Sequence, residues 1–277
     1  MQTMSAVQTI SKHPLRNPFR SGARMAMLGA TLVEVAAEFG MRRSGAKALT
    51  SRERADWLQH AASTVLKRIG IEVAADGDAP RDGLVASNHL SYLDVLAYAS
   101  TMPCAFVAKQ EVRSWPIFGA FATMAGTIYI NRARGAANGG AVALIEKALA
   151  AGVPVVLFPE GTSSDGNRVL PFHSRFFEPA IRTGAVVTAA AIGYTSRTAE
   201  EAALAYHGED VFGTHLVRTL GQRSLTARVA FAAANRYADR KSAARATQAE
   251  VERVRGTVAR RPTIQPTAEL LPLTHAG

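Results

Sequence analysis

The chain has 277 residues, of which 48% are hydrophobic and 19% are charged, and its formal net charge is +10. This composition supports a large domain with a proper hydrophobic core, and it excludes a disordered chain and a protein that crosses the membrane many times. The excess of cations favours a negatively charged partner, which leaves nucleic acid, an anionic membrane surface and an acidic soluble partner as alternatives.

Residues 1–69 are predicted to form an N-terminal arm and a pair of helices. Apolar residues recur at helical spacing over about 23–40, and again from about residue 51 to Gly70. The apolar segment 25–39 is interrupted by glutamates, whereas crossing a bilayer takes about 18 uninterrupted apolar residues. We therefore expect the helical pair to associate with the membrane surface, and the alternative is that it only packs on the body of the protein.

From residue 70 onwards, short apolar runs alternate with helical patterns, which is typical of a layered α/β domain. The predicted strands are Ile71–Ala75, Leu84–Ser87, Cys104–Ala108, Thr127–Asn131, Pro154–Phe158, Val186–Ile192 and Ala227–Ala233. The predicted helices cover about 92–101, 116–124, 136–151, 174–183, 215–220 and 239–258. We expect a mixed, mostly parallel sheet of about seven strands with flanking helices over residues 70–258, followed by a flexible tail over residues 259–277.

The first candidate site lies between the second strand and the helix that follows it. Ser91 and Asp94 match the capping-box pattern, which places Asp94 in the first helical turn, where free backbone N–H groups favour a carboxylate. Residues five apart on one helix would point about 140° away from each other, so it is the strand-to-helix turn that lets His89 meet Asp94. A carboxylate bonded to one imidazole nitrogen leaves the other free to take a proton. The alternative is that Asp94 only caps the helix.

Two further strand ends carry polar residues. The strand that ends at Phe158 is followed by a turn with Glu160, Gly161 and Thr162, and ligands of α/β sheets gather at such carboxyl ends. The strand over residues 127–131 is followed by Arg132, whose forked guanidinium suits a phosphate or a carboxylate. An ordinary connecting loop and a solvated arginine are the respective alternatives.

Together, these three segments resemble the glycerolipid acyltransferase family, which includes 1-acylglycerol-3-phosphate acyltransferase. His89 and Asp94, preceded by Asn88, match its motif of a histidine, four residues and an aspartate. The segment 126–132 resembles the second block of the family, and the segment 158–162 resembles the third. The resemblance covers about residues 70–195, and the order and spacing of the three blocks agree.

This resemblance implies an O-acyltransferase of membrane lipid biosynthesis. The enzyme would move a fatty acyl group from acyl-CoA or acyl carrier protein to the hydroxyl of a lysophospholipid-type acceptor, such as 1-acylglycerol-3-phosphate or lyso-ornithine lipid. His89 would act as the general base on that hydroxyl, and Asp94 would orient His89 and stabilise its cation. No metal and no cofactor other than the acyl donor is implied.

The resemblance also implies how the acceptor is held. Arg132 would bind the phosphate of the acceptor, while Glu160, Gly161 and Thr162 would shape the acceptor site, with Asn88 and Ser91 in support. From the N-terminal helices and the excess of basic residues, we expect the enzyme to lie at the cytoplasmic face of the membrane as a peripheral or monotopic protein, on an anionic surface, and not to bind nucleic acid.

The sequence departs from the family pattern at positions that bear on the acceptor. Ser163 stands where the family commonly has arginine or lysine, which removes one cation near the acceptor. The apolar run 186–192 lacks the proline that is usual in the fourth block of the family. The segment 206–213 is similar to that of relatives whose acceptors include lyso-ornithine lipid.

Two other classes of function remain as alternatives. A thioester or lipid hydrolase would use the same His89 and Asp94 to activate water, although the sequence lacks the Gly-x-Ser-x-Gly pattern of a separate nucleophile. A non-catalytic basic protein would bind membranes or nucleic acid through its cations, although aromatic residues are few and no recognition motif is present.

Overall fold

Two long helices precede the sheet. The structure is a computed structural model and describes residues 17–44, 48–130 and 139–258. Helix α1 spans Pro18–Arg43 and helix α2 spans Ser51–Ile69. The predicted helical pair is therefore confirmed.

The ends of these helices follow from their capping residues. The side chain of Asn17 caps α1, and a proline in its first turn is compatible with helix initiation, so α1 begins earlier than the predicted residue 23. Helix α2 begins with a complete capping box between Thr50 and Glu53, and it ends at Gly70, which is left-handed with φ 69°.

The inner face of α1 packs against α2. Val35 and Phe39 are buried there, and the indole N–H of Trp57 donates to the carbonyl of Val35 at 3.1 Å. The rings of Phe39 and Trp57 meet edge to face at 4.9 Å. The N-terminal half of α1 instead contacts the segment near residue 220, where the guanidinium of Arg24 donates to the carbonyls of Leu220 and Gln222.

All seven predicted strands are present. They are β1 Ile71–Asp76, β2 Leu84–Ser87, β3 Ala105–Lys109, β4 Ile128–Ile130, β5 Val155–Leu157, β6 Val187–Ser196 and β7 Leu225–Asn235. The helices among and after them are α3 Leu93–Thr101, α4 Phe118–Met124, α5 Gly139–Ala150, α6 Glu178–Thr183, α7 Glu201–Leu204, α8 Phe212–Leu220 and α9 Arg240–Val258. The segments 110–114 and 174–177 are 3₁₀ turns, so the predicted helix over 174–183 is α-helical only in its second half.

The strands form a single sheet with the order β1-β7-β6-β2-β5-β3-β4. All neighbours are parallel except β6 and β7, which pair antiparallel over a long ladder. This confirms a mixed, mostly parallel sheet. Strands β2 and β5 are buried along their whole length because helices cover both faces of the sheet.

The order of the strands determines which loops lie next to each other at the candidate site. Strand β2 lies between β5 and β6 and runs parallel to both, with Ala86 opposite Leu157 and Ser87 opposite Ala190. The carboxyl ends of β2 and β5 therefore lie side by side, while β6 continues past them to Ser196. The loop that follows β2 must contact the loop that follows β5, at the edge where α/β sheets bind ligands. The tail predicted over residues 259–277 lies outside the described part of the chain.

Candidate active site

His89 and Asp94 are in direct contact in the turn between β2 and α3. The Nδ1 atom of His89 lies 2.7 Å from Oδ2 of Asp94. Helix α3 begins at Leu93, so the turn reverses the chain between the two residues and brings their side chains together. Because the carboxylate of Asp94 accepts a hydrogen bond from Nδ1, the proton of the neutral ring is on Nδ1. Nε2 can then accept a second proton.

The carboxylate of Asp94 is fully buried and fully hydrogen-bonded. Besides His89, its Oδ2 atom accepts from the backbone N–H groups of Leu90 at 2.7 Å and Ser91 at 3.1 Å. Its Oδ1 atom accepts from the hydroxyl of Tyr194, which reaches it from β6. Four donors thus replace water around a charge that solvent does not reach.

Ser91 and Asp94 form only half of the predicted capping box. Asp94 accepts from the N–H of Ser91, as the pattern predicts. The hydroxyl of Ser91, however, accepts from the N–H of Leu93 at 3.4 Å, while the N–H of Asp94 donates to the carbonyl of Ser91 at 3.0 Å. The difference arises because Tyr92 already has helical angles, φ −57° and ψ −22°, which tighten the turn around the carboxylate.

Asn88 attaches the histidine loop to β6. Its side-chain oxygen accepts from the N–H of Ile192 at 2.9 Å, and its side-chain nitrogen donates to the carbonyl of the same residue at 3.0 Å. Asn88 is almost fully buried. The amide group therefore continues the sheet one residue beyond β2 and holds the backbone that carries His89.

Three loops meet around His89. The carbonyl of His89 accepts from the N–H of Ser164 at 2.9 Å, which joins the histidine loop to the loop after β5. The carbonyl of Leu90 accepts from the N–H of Tyr206 at 2.8 Å. The hydroxyl of Ser163 donates to the carbonyl of Tyr206 at 2.5 Å. The segment that begins at residue 206 is thereby tied to both loops.

The predicted acceptor residues lie in the loop after β5, beside His89. Phe158 stacks on the imidazole of His89 with ring centroids 4.1 Å apart. Gly161 adopts φ 74°, a conformation that favours glycine, and Thr162 is exposed. Arg132, the fourth predicted residue, lies outside the described residues, and the strand that leads to it, β4, ends at Ile130.

Glu160 is buried close to the histidine–aspartate pair. Burial raises the pKa of Glu160 to about 8, although the nearby backbone of Leu170 and of His89 opposes the rise. Neither carboxyl oxygen makes a well-formed hydrogen bond to a described residue. The carboxyl group is therefore mostly protonated at pH 7 and has a hydrogen-bond donor to offer.

A cavity of about 320 Å³ opens beside His89. Its wall is mainly apolar and includes Phe106, Trp115, Ile130 and Phe158, while Lys109, Gly161, Thr162 and Tyr206 contribute polar groups. The side chain of His89 is 23% exposed, so a ligand in the cavity can reach it. Within the described ranges, no group of three or more His, Cys, Asp or Glu side chains is arranged to hold a metal ion.

Tyr194 is a site residue that the sequence patterns did not identify, and Tyr206 was noted only as the first residue of the segment 206–213, without a role at the site. Tyr194 lies 100 residues beyond Asp94, on a strand made otherwise of small and apolar residues. A tyrosine on a strand that is buried on both faces is the one local signal for a hydroxyl with a buried partner. Tyr206 follows the very short helix α7, which no periodicity reveals.

Known proteins resemble this chain in sequence and in fold. The family model described as Acyltransferase matches residues 70–193. The 1-acyl-sn-glycerol-3-phosphate acyltransferase of Neisseria meningitidis is 37% identical over 164 residues, which are 59% of this chain and 64% of that protein. The chain thus spans a little under two thirds of the length of that relative.

A second relative and a solved structure extend the likeness. The lyso-ornithine lipid O-acyltransferase of Rhizobium meliloti is 34% identical over 202 residues, which are 67% of this chain and 69% of that protein. The crystal structure of the 1-acyl-sn-glycerophosphate acyltransferase from Thermotoga maritima matches with a TM-score of 0.68, over 90% of this chain and 98% of that chain. At 17% identity this match shows the fold alone. The chain belongs to the acyltransferase family whose members include the 1-acylglycerol-3-phosphate and the lyso-ornithine lipid acyltransferases.

Proposed function

We propose that this protein is an O-acyltransferase that moves a fatty acyl group from acyl-CoA or acyl carrier protein to the hydroxyl of a lysophospholipid-type acceptor. The observation that carries the proposal is the contact of 2.7 Å between His89 and the buried carboxylate of Asp94, at the wall of an apolar cavity. A general base whose Nε2 can accept a proton, beside an apolar cavity, suits a reaction between an alcohol and a fatty acyl thioester.

The reaction proceeds by direct transfer. Nε2 of His89 takes the proton of the acceptor hydroxyl as its oxygen attacks the thioester carbonyl. Asp94 stabilises the imidazolium ion that forms, while the imidazole stays in one orientation. The tetrahedral intermediate then breaks its carbon–sulfur bond, and the imidazolium returns the proton to the departing thiolate. The products are an acylated lipid and a free thiol.

The apolar cavity holds the fatty acyl chain in this proposal. Its mainly apolar wall includes Phe106, Trp115 and Phe158 in addition to His89. Each methylene group that leaves water contributes about 0.8 kcal/mol, so a long chain gains much of its binding energy here. The thioester carbon at the end of the chain then lies near the imidazole.

The loop after β5 shapes the acceptor site. Gly161 and Thr162 line the cavity beside His89, and Glu160 is buried next to them in the same loop. Arg132 supplies a cation for the anionic group of the acceptor. Because the buried carboxyl of Glu160 is mostly neutral at pH 7, it places no negative charge close to an anionic acceptor. The relatives are named for two acceptors, one that carries a phosphate and one that carries ornithine. The common feature of the two is an acceptor hydroxyl on a lipid.

The outer face of α1 supports attachment to a membrane surface. Large apolar side chains are exposed along it, with exposed fractions of 89% for Phe19, 45% for Met27, 71% for Val33 and 69% for Met41. In a helix of 26 residues, about 39 Å long, these positions share one side. No helix of the described chain is long and apolar enough to cross a bilayer. In our proposal α1 lies on the cytoplasmic face of an anionic membrane, where the net charge of +10 adds attraction.

The test is acceptor-dependent release of thiol. Purified protein receives acyl-CoA or acyl carrier protein together with each of a panel of lysolipids that includes both acceptors. We expect thiol and esterified lipid in equal amounts, with no product from His89→Ala and normal product from His60→Ala, a substitution at an exposed histidine of α2. Thiol release without an acceptor would indicate a hydrolase. Absence of any turnover, with salt-sensitive binding of DNA, would indicate a nucleic-acid-binding protein.

A further inference from the structure

A buried tyrosine contacts the side of Asp94 that faces away from His89. The hydroxyl of Tyr194 donates to Oδ1 of Asp94, whereas His89 and two backbone N–H groups use Oδ2. Tyr194 is 2% exposed. Its phenol is the one described donor on Oδ1, so it fixes the rotation of the carboxylate about its Cβ–Cγ bond.

Tyr194 is in turn held from behind by an ion pair. Its backbone N–H donates to Oε1 of Glu201 at 2.6 Å. The other carboxyl oxygen of Glu201 pairs with the guanidinium of Arg255, which is 7% exposed and comes from the C-terminal helix α9. The same guanidinium donates to the carbonyl of Gly166 at 3.2 Å, in the loop that also carries Glu160.

The backbone leaves room for this pair. A Cβ atom at Gly193, the residue before Tyr194, would lie 2.9 Å from Nη1 of Arg255 and 3.0 Å from Oε1 of Glu201. Glycine at this position therefore lets the ion pair lie directly against β6. The contacts form a continuous series from α9 through Glu201 and Tyr194 to the carboxylate that holds His89.

We propose that Tyr194 is a positioning residue for the His89–Asp94 pair, and that Glu201 and Arg255 hold Tyr194 in place. The proposal rests on the acyltransferase function proposed above. All three residues lie beyond residue 193, where the match to the family model ends. Burial also raises the pKa of Tyr194 well above its usual range, which keeps the phenol protonated and able to donate.

Tyr194 matters because it fixes the orientation of the Asp94 carboxylate, and this orientation decides the geometry of the hydrogen bond to His89. Without the phenol, Oδ1 of Asp94 is a buried charged atom with no partner among the described residues. Both oxygens of the carboxylate then compete for the remaining donors, and the carboxylate rotates about its Cβ–Cγ bond. Its hydrogen bond to Nδ1 of His89 no longer has a single geometry. The imidazole of His89 then populates a mixture of its two tautomers, while the binding of the acyl donor and the acceptor is unchanged.

The test is Tyr194→Phe, which removes one oxygen and keeps the ring. We expect kcat to fall about 10-fold, with the KM values for acyl donor and acceptor unchanged. The matched control is Tyr98→Phe, because Tyr98 is equally buried but its hydroxyl bonds to Ser87 at 2.6 Å. An unchanged kcat in Tyr194→Phe, or an equal loss in Tyr98→Phe, overturns the proposal.

A spectroscopic measurement keeps this test independent of the activity. In nitrogen-15 NMR spectra of the protein without substrates, His89 should show a single tautomer with its proton on Nδ1, and Tyr194→Phe should show a mixture. The same single tautomer in both proteins overturns the positioning role. If the wild-type protein transfers no acyl group, the proposed function fails, while this measurement still decides the role of Tyr194.

A second variant tests the part played by the ion pair. Glu201→Gln keeps an oxygen that accepts from the N–H of Tyr194 and removes the charge that pairs with Arg255. We expect a smaller fall in kcat than in Tyr194→Phe, and a double variant that is no slower than Tyr194→Phe alone, because both changes act through one contact. Losses that multiply would show that Glu201 acts by another route, which would overturn this half of the proposal.

Discussion

Replacement of Asp94 by asparagine is expected to slow acyl transfer strongly and to preserve the fold. Four donors reach the carboxylate, from His89, the backbone of Leu90 and Ser91, and Tyr194. An asparagine whose carbonyl oxygen replaces Oδ2 still accepts three of them, and its amide can donate to the phenol oxygen of Tyr194. The substitution therefore removes a negative charge and leaves the hydrogen bonds almost unchanged.

The magnitude follows from the imidazolium ion. When His89 takes the proton of the acceptor, Asp94 contributes a charge-assisted bond, which exceeds a neutral one by about 1–2 kcal/mol. The full burial of Asp94 strengthens the attraction further because little solvent screens it. We expect kcat to fall about 100-fold, equivalent to about 2.7 kcal/mol, with KM little changed.

The assay is thiol release under saturating substrates, with unfolding in urea as the measure of stability. Asp239→Asn serves as the control, since Asp239 also accepts from backbone N–H groups at a helix start but is exposed and lies at α9. A kcat of Asp94→Asn close to that of the wild-type protein would show that the charge of Asp94 does not stabilise the imidazolium ion. So would an equal loss in the control.

Three further predictions concern neighbouring features. The folded-state pKa of Glu160, about 8, lies above the ordinary value of 4.5, so the free energy of unfolding should fall as pH rises from 4.5 to 8. Urea unfolding of Glu160→Gln should show a smaller fall in this free energy over the same pH range. Phe158→Ala removes the ring that stacks on His89, and kcat should fall about 10-fold, because the imidazole gains freedom; an unchanged kcat would contradict this. Val33→Glu combined with Met41→Glu should weaken sedimentation with anionic liposomes while kcat on detergent-dispersed substrates persists; equal sedimentation would reject α1 as the contact.

Local chemistry made much of the fold predictable from the sequence. The limits of α2 follow from the capping box at Thr50 and the left-handed Gly70, both of which act within a few residues. Strand β2 was predicted with its observed limits because Leu84–Ser87 is a buried run between turn signals. Strand β6 extends to Ser196, beyond its prediction, because pairing with β7 stabilises it past the apolar run.

The candidate site was predictable where its residues are close in sequence or follow the carboxyl ends of buried strands, as the loop after β5 does. His89 and Asp94 are five residues apart, and the strand-to-helix turn between them predicts their contact. The phenol of Tyr194 and the guanidinium of Arg255 reach the site through sheet order and the packing of α9, which no local pattern encodes. The half-formed capping box at Ser91 depends on the backbone angles of Tyr92, which the sequence pattern does not specify.

The rate of ester formation by His89→Gln in a single turnover tests most directly whether His89 is the general base. Mass spectrometry of the acylated lipid measures this rate. Glutamine retains an N–H that can donate to Asp94 and has no nitrogen that takes up a proton. We expect the rate to fall by about 100-fold or more while the protein still binds the acyl donor. Ester formation at close to the wild-type rate would contradict the assignment of His89 as the general base.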